Sequence, residues 1–374
     1  MQPKYLSTIS ELDNLVGLAP KEREKMETVT ELFPFRSNEY YLSLIDWKDG
    51  HDPLKRIVLP DFPELSHGGS PDPSSEKTYT KKPGLQHKYD QTGLLLLTDT
   101  CAGICRFCFR KRLFIPCERE TVKDVSENIG YIREHTEITN VLLTGGDPLM
   151  LDTRQLEPVL RQLREIPHVN VIRIGSKMLA YNPYRILNDP DLLLVLSKYS
   201  TPEKWIYLMA HFNHPRELTD LSLRAADALR KAGVVIVNQT PVLKGVNDSP
   251  VILTELFRKL SFAGISPYYV FQCRPATGNR SFQVPVEQSY EMLQKSWQTC
   301  SGLAKRARFV MSHATGKIEL VGRSAEHVFM RYHQSSNSAD IGRFMIFRSN
   351  PVARWFDDYR HALTDFKPRT EWLF

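Results

Sequence analysis

Three cysteines, Cys101, Cys105 and Cys108, stand at C-x3-C-x2-C spacing in "CAGICRFCFRKR", with a basic run behind them. Six cysteines in 374 residues make no disulfide framework. In a reducing compartment, clustered thiols point to metal binding or catalysis rather than to cross-links. Structural zinc takes four ligands, and no nearby fourth Cys or His completes a set. Iron–sulfur clusters are also held by thiolates, usually four. Three thiolates on a four-iron cubane leave one iron open to bind something else. The remaining cysteines, Cys117, Cys273 and Cys300, are scattered and have no metal-ligand spacing.

A loop that presents three thiolates needs a rigid support. From residue 94 onward, short apolar runs alternate with helical periodicity. The runs lie at 94–98, 140–144, 170–174, 205–210, 234–239 and 268–273. Between them lie amphipathic stretches such as "TRQLEPVLRQLREI" and "LSLRAADALRKAG". The pattern predicts an α/β fold with at least six βα units, a parallel sheet and outer helices, curled into a full or partial barrel. In such barrels chemistry sits at the C-terminal ends of the strands, and the cysteine run directly follows the first of them. Three segments are expected. Residues 1–90 form an N-terminal helical segment followed by a Pro- and Ser-rich wrapping linker with little regular structure. Residues 91–310 form the core, and 311–374 a C-terminal extension that is aromatic and basic.

Composition sets the remaining bounds. With 41% apolar residues the chain can bury a sizeable core. No apolar run approaches membrane-span length, and the N-terminus lacks a signal layout, so a cytoplasmic protein with no membrane partner is expected. The net charge of +6 suits anionic ligands and does not by itself argue for nucleic acid.

A second stretch, "LLTGGDPLML" (142–151), ends the second predicted strand with paired glycines. The two motifs together resemble the radical S-adenosylmethionine (SAM) superfamily, whose hallmark is C-x3-C-x2-C. The resemblance implies a (βα)6 partial barrel and a [4Fe–4S] cluster on Cys101, Cys105 and Cys108. SAM would chelate the open iron and be cleaved reductively to a 5′-deoxyadenosyl radical. Gly145, Gly146 and Asp147 match the family's Gly-Gly-Glu-Pro-like SAM contact, with Asp147 in place of Glu.

Further stretches narrow the likeness. "RIGSKMLAYNPYRI" (173–186), "MAHFNHPREL" (209–218), "NQTPVLKGVNDSP" (238–250) and "CRFCFRKR" are similar to lysine 2,3-aminomutases and their relatives. By that resemblance Ser176 and His211 lie near SAM, and Arg110 holds a substrate carboxylate through its bidentate fork. Pyridoxal 5′-phosphate (PLP) would join Lys317 in "VMSHATGKIELVG", with Lys88, Asn238 and Gln239 as further contacts. The implied reaction moves an amino group from C2 to C3 of an amino acid. Its partners would be that substrate and an external reductant such as flavodoxin or ferredoxin; a homo-oligomer fits the family.

The chain departs from lysine-acting members at several points. The lysine loop is Ser-His-Ala-Thr-Gly-Lys rather than a glycine run. Thr92 stands where an arginine is usual before the first strand. Arg274 follows Gln272-Cys273 where an acidic residue would pair with the substrate's distal ammonium, and Ser312 or His313 replaces a second acidic partner. No cysteine occurs in 322–374, and Ser249 occupies another zinc-ligand place, so a zinc-linked tetramer does not carry over. The expected substrate is therefore an amino acid other than free lysine, with an acidic or acceptor-bearing side chain. Two alternatives stand beside this. One is a PLP-independent radical SAM epimerase, dehydrogenase or rearranging enzyme. The other modifies a macromolecule.

Overall fold

The structure is a computed structural model that describes residues 2–114 and 120–366; Cys117 lies outside them. A thirteen-stranded sheet dominates it, and every strand in it lies beside its neighbour in sequence. A small antiparallel pair, β1 (Tyr5–Leu6) and β2 (Ser37–Asn38), precedes that sheet. The sheet begins with an antiparallel edge, β3 (Thr80–Lys82) and β4 (Leu85–Tyr89). Seven parallel strands follow: β5 (Thr92–Thr98), β6 (Asn140–Gly145), β7 (Val171–Ser176), β8 (Ile206–Ala210), β9 (Val234–Val242), β10 (Ser266–Gln272) and β11 (Arg308–His313). Four antiparallel strands end it: β12 (Gly316–Arg323), β13 (His327–Ser335), β14 (Phe344–Arg348) and β15 (Ala362–Phe366).

The crossover helices form where the periodicity places them. Asp152 caps Thr153–Arg164 through a reciprocal box with Gln155, and the helix buries Leu156, Val159, Leu160 and Leu163 on one stripe. Thr219 caps Asp220–Lys231 by accepting from the Ser222 amide, and the helix turns Ala225, Ala226 and Leu229 inward against β9. Helices Ile9–Val16 and Pro20–Thr30 occupy the N-terminal segment.

Three differences from the sequence reading matter for the site. The parallel set has a seventh strand, β11, and the expected boundary at residue 310 falls inside it. "RFVMSH" is short and is not followed by a helix, so it carried no βα signal. The linker is also more ordered than its composition suggests. It holds helix Pro53–Val58, and its final stretch supplies β3 and β4. Finally, no closed barrel forms among the described residues, because β3 and β15 do not pair. Side chains bridge the gap instead. Lys88 Nζ donates to the His313 carbonyl (2.6 Å), the Tyr79 hydroxyl to that of Ala314 (2.9 Å) and the Ser74 hydroxyl to that of Ser312 (3.0 Å). These bonds draw the linker and β4 against the β11–β12 turn and wall off an interior cavity.

Candidate active site

The cavity opens among the C-terminal ends of the parallel strands and is lined by both sequence motifs. At one end lie Cys101, Cys105 and Cys108, on the loop after β5. The N-terminal segment clamps this loop. Arg106 is fully buried and donates from Nε to Glu64 (2.8 Å) and from its two terminal nitrogens to the carbonyls of Pro34 (2.8 Å) and Phe33 (3.2 Å). The amide of Ile104 donates to the Arg36 carbonyl and that of Arg106 to the Ile57 carbonyl. A buried arginine without such partners would cost several kcal/mol, so the loop is locked to residues 33–64.

Among the described residues no three His, Cys, Asp or Glu side chains converge on a point that could hold a single metal ion. Three thiolates lining one end of the cavity are the donor set a cubane cluster would take. Beside them Asp147 is buried. Its carboxylate accepts from the Ser176 hydroxyl (2.9 Å) and from the amides of Lys177 (2.9 Å) and Leu149 (3.0 Å). Burial pushes its pKa up to about 6 despite those donors. His211 stacks on Phe107 with ring centroids 5.9 Å apart, and its Nε2 is buried with no partner among the described residues. Burial, with the Lys177 ammonium second, pulls its pKa down to about 3, which keeps the ring neutral. An unpaired buried nitrogen is costly unless something else satisfies it, so this end fits a polar ligand.

The paired glycines are required for a different reason from close approach to a ligand. Gly145 has φ +121°, and a Cβ on it would lie 2.3 Å from the Thr98 carbonyl oxygen; one on Gly146 would lie 2.4 Å from that of Thr100. They allow the β6 turn to nest against the cluster loop itself.

At the other end stand Lys88, Arg173, Arg274 and Lys317. Lys317 projects from β12 and donates to Gln334 Oε1, with its ammonium 4.7 Å from the Tyr89 ring centroid and 5.6 Å from that of Tyr269. Burial, then the charges of Arg173, Arg274 and Lys88, hold its pKa well below the ordinary lysine value. A neutral amine in a cavity is a nucleophile toward a carbonyl. Lys88 is pulled down to about 8, chiefly by burial and then by Arg274. The guanidinium of Arg274 lies 3.5 Å from the Phe109 ring centroid and makes no hydrogen bond or ion pair with any described residue. Burial brings its pKa down to about 10.

Arg110 is placed differently from what the sequence suggests. It lines the cavity, but Glu76 grips it (Nη2 to Oε1 2.6 Å, Nε to Oε2 3.0 Å), and it also donates to the Thr144 hydroxyl (3.1 Å). Glu76 also accepts from Arg112 (2.7 Å). Burial alone would raise the Glu76 carboxyl, but Arg110 and Arg112 outweigh it and hold the group well below the usual carboxylate range. Asn238 is a correction. It is buried in β9, where its side chain accepts from the Phe212 amide (2.8 Å) and donates to the Phe212 carbonyl (3.2 Å), and it does not line the cavity. Strand alternation sends its neighbour Gln239 into the cavity instead. Residues the sequence did not single out include Glu76, Phe109, Arg173, Lys177 and Tyr181. Phe109, Arg173, Lys177 and Tyr181 lay within the motif-bearing stretches 101–112 and 173–186, whereas Glu76 lay outside any motif.

Comparison with known proteins agrees with this geometry. Residues 95–257 match the radical SAM superfamily model. That range carries the cysteine loop and the β6 turn, so the cavity belongs to a radical SAM enzyme, a class that uses a [4Fe–4S] cluster and SAM. The chain is 50% identical over 365 residues to a putative L-lysine 2,3-aminomutase of Aquifex aeolicus, covering 97% of this chain and 98% of that one. It is 37% identical to the L-lysine 2,3-aminomutase of Clostridium subterminale (77% and 69% covered) and 35% identical to the glutamate 2,3-aminomutase of Clostridioides difficile (80% and 70%). The chain belongs to the lysine 2,3-aminomutase-like family of radical SAM isomerases. No described helix is long and apolar enough to cross a membrane.

Proposed function

We propose that the enzyme moves an amino group between C2 and C3 of an amino acid whose side chain carries a carboxylate or other acceptor, with PLP on Lys317. The observation that carries this reading is Arg274. A partly buried guanidinium with no hydrogen bond or ion pair to a described residue favours an anionic group and disfavours a lysine ammonium. The name of the glutamate-acting relative supports it; the names of the lysine-acting relatives point the other way.

Cys101, Cys105 and Cys108 would hold the cluster, which would supply one electron to SAM, and Lys317 would hold a pyridoxal ring, which would supply an electron sink. The protein's own groups do the rest. Asp147, fixed by Ser176, and the unpaired Nε2 of His211 would orient the SAM amino acid moiety. Lys317, its basicity lowered by burial and by the charges of Arg173, Arg274 and Lys88, is the amine that would bond a carbonyl carbon. Lys88 and Arg173 bring positive charge for a phosphate, which offsets the threonine at Thr92. Tyr89 and Tyr269 exclude water around the amine. Arg274, stacked on Phe109, binds the substrate's acceptor, and Arg110, held in orientation by Glu76, offers its remaining face. An external one-electron donor such as flavodoxin or ferredoxin completes the system.

The test is anaerobic turnover of a panel of amino acids, read by mass spectrometry, with borohydride reduction of PLP-loaded enzyme. Glutamate-like compounds should exceed lysine, and the pyridoxyl group should appear on the Lys317 peptide. Lysine emerging as the best substrate overturns the side-chain assignment. Turnover without any PLP uptake moves the enzyme to the PLP-independent class.

A further inference from the structure

Tyr181 is held from several sides at the cluster end, and none of the roles above uses it. Its hydroxyl lies 3.1 Å from Cys105 Sγ, and it has no other hydrogen-bond partner among the described residues. The ring cannot swing away. A Cβ built on Gly103 would lie 3.1–3.3 Å from it, so the cluster loop presses on one face. Tyr41 meets it edge-on with centroids 4.5 Å apart. The buried Asn38 side chain donates both to the Tyr181 carbonyl (2.9 Å) and to the Ala102 carbonyl (3.2 Å), which ties the tyrosine backbone to the cysteine loop. The two groups are 76 residues apart in sequence, brought together by β2 and the turn after β7.

With a free thiol, either group could be the donor. A sulfur bound to iron carries no proton, so the hydroxyl must then donate. Such a bond stabilises the more negatively charged, reduced form of a cluster more than the oxidised form, because the extra electron spreads onto the ligand sulfurs. We infer that Tyr181 is a positioning residue that donates to the ligating sulfur of Cys105 and raises the cluster's reduction potential, easing its one-electron reduction. This rests on the reading of Cys105 as a cluster ligand.

The experiment uses anaerobically reconstituted full-length Tyr181→Phe, which keeps the ring and removes only the hydroxyl. Iron and sulfide content tests the ligand reading separately. A spectroelectrochemical titration followed by electron paramagnetic resonance tests the inference. At a fixed applied potential the ratio of reduced to oxidised cluster should fall about tenfold, equivalent to about 59 mV for one electron. Tyr40→Phe removes another largely buried tyrosine hydroxyl, one bonded to Thr219, and should leave the potential unchanged. A fully loaded Tyr181→Phe protein with the wild-type potential overturns the inference. Should that variant assemble no cluster, the wild-type protein decides. Exchange into D2O should shift the Fe–Sγ stretching bands in resonance Raman spectra, and bands insensitive to D2O overturn the proposal.

Discussion

The two ends of the cavity treat charge in opposite ways. At the cysteine end, every buried charge has a protein partner. Lys177 donates to Glu217 (2.6 Å), Asn213 (2.8 Å) and the His211 carbonyl (2.7 Å), and Glu217 also accepts from Tyr41 (2.7 Å). Arg106 and Lys111 share Glu64. At the Lys317 end, Lys88, Arg173, Arg274 and Lys317 face the cavity with no ion pair to a described carboxylate. The difference follows from what each end must do. A cofactor whose electron transfer depends on fixed geometry needs a neutralised, rigid mount. On the proposed function, the Lys317 end keeps positive charge unspent for an anionic ligand, which would supply the missing partner. Glu76 marks the border, since it neutralises Arg110 and Arg112 but leaves Arg274 without a direct contact.

The largest expected effect breaks the mounted end. Replacing Cys101, Cys105 and Cys108 together with Ala should abolish iron binding and bring dithionite-driven SAM cleavage to the protein-free rate, with circular dichroism unchanged. Cys300→Ala should do neither, since Cys300 lies buried after helix Val286–Gln298, away from the cavity. A triple variant that still yields 5′-deoxyadenosine would remove the assignment of these ligands.

Next comes the border. Glu76→Gln leaves the buried Arg110 guanidinium without a carboxylate, while Arg112 keeps Glu120, and should lower unfolding stability by about 3 kcal/mol in a denaturant titration. The pH dependence has a definite sign. The folded carboxyl is held below its unfolded value, so its contribution is fully present above the unfolded pKa and fades as pH falls from about 4 toward the folded pKa. Wild type should therefore lose stability faster than Glu76→Gln across that acid range. Parallel acid limbs would show that the pair contributes little.

The smallest effect sharpens the unsatisfied end. Arg274→Asp should lower kcat/KM for the true substrate about a hundredfold, which corresponds to roughly 2.7 kcal/mol, with the uncoupled rate of SAM cleavage kept. Unchanged kcat/KM would make Arg274 a wall residue stacked on Phe109.

Much of the scaffold was legible in the chain, and the reasons are local. Capping boxes at Asp152 and caps at Thr219 specify helix starts, and apolar runs such as Leu94–Leu97 specify interior strands. What escaped had no local signature. β11 lacks a following helix, β3 and β4 hide in a Pro- and Ser-rich stretch, and Asn238 sits one residue from Gln239, so only strand register tells which of the two reaches the cavity.

The same division holds at the site. The thiolate trio and the Gly-Gly-Asp turn were set by sequence alone, because their spacing is short and each follows a strand end that the apolar pattern already locates. Whether a charged residue is free or engaged was decided only by tertiary structure. Arg110 and Arg274 look alike in the chain, each next to a Cys or Phe in a loop that follows a parallel strand. Glu76, 34 residues before Arg110, reaches back from the linker and takes its charge, while Arg274 meets only the face of Phe109. Ion pairing depends on distance and burial between segments far apart in the chain, and no local pattern encodes either.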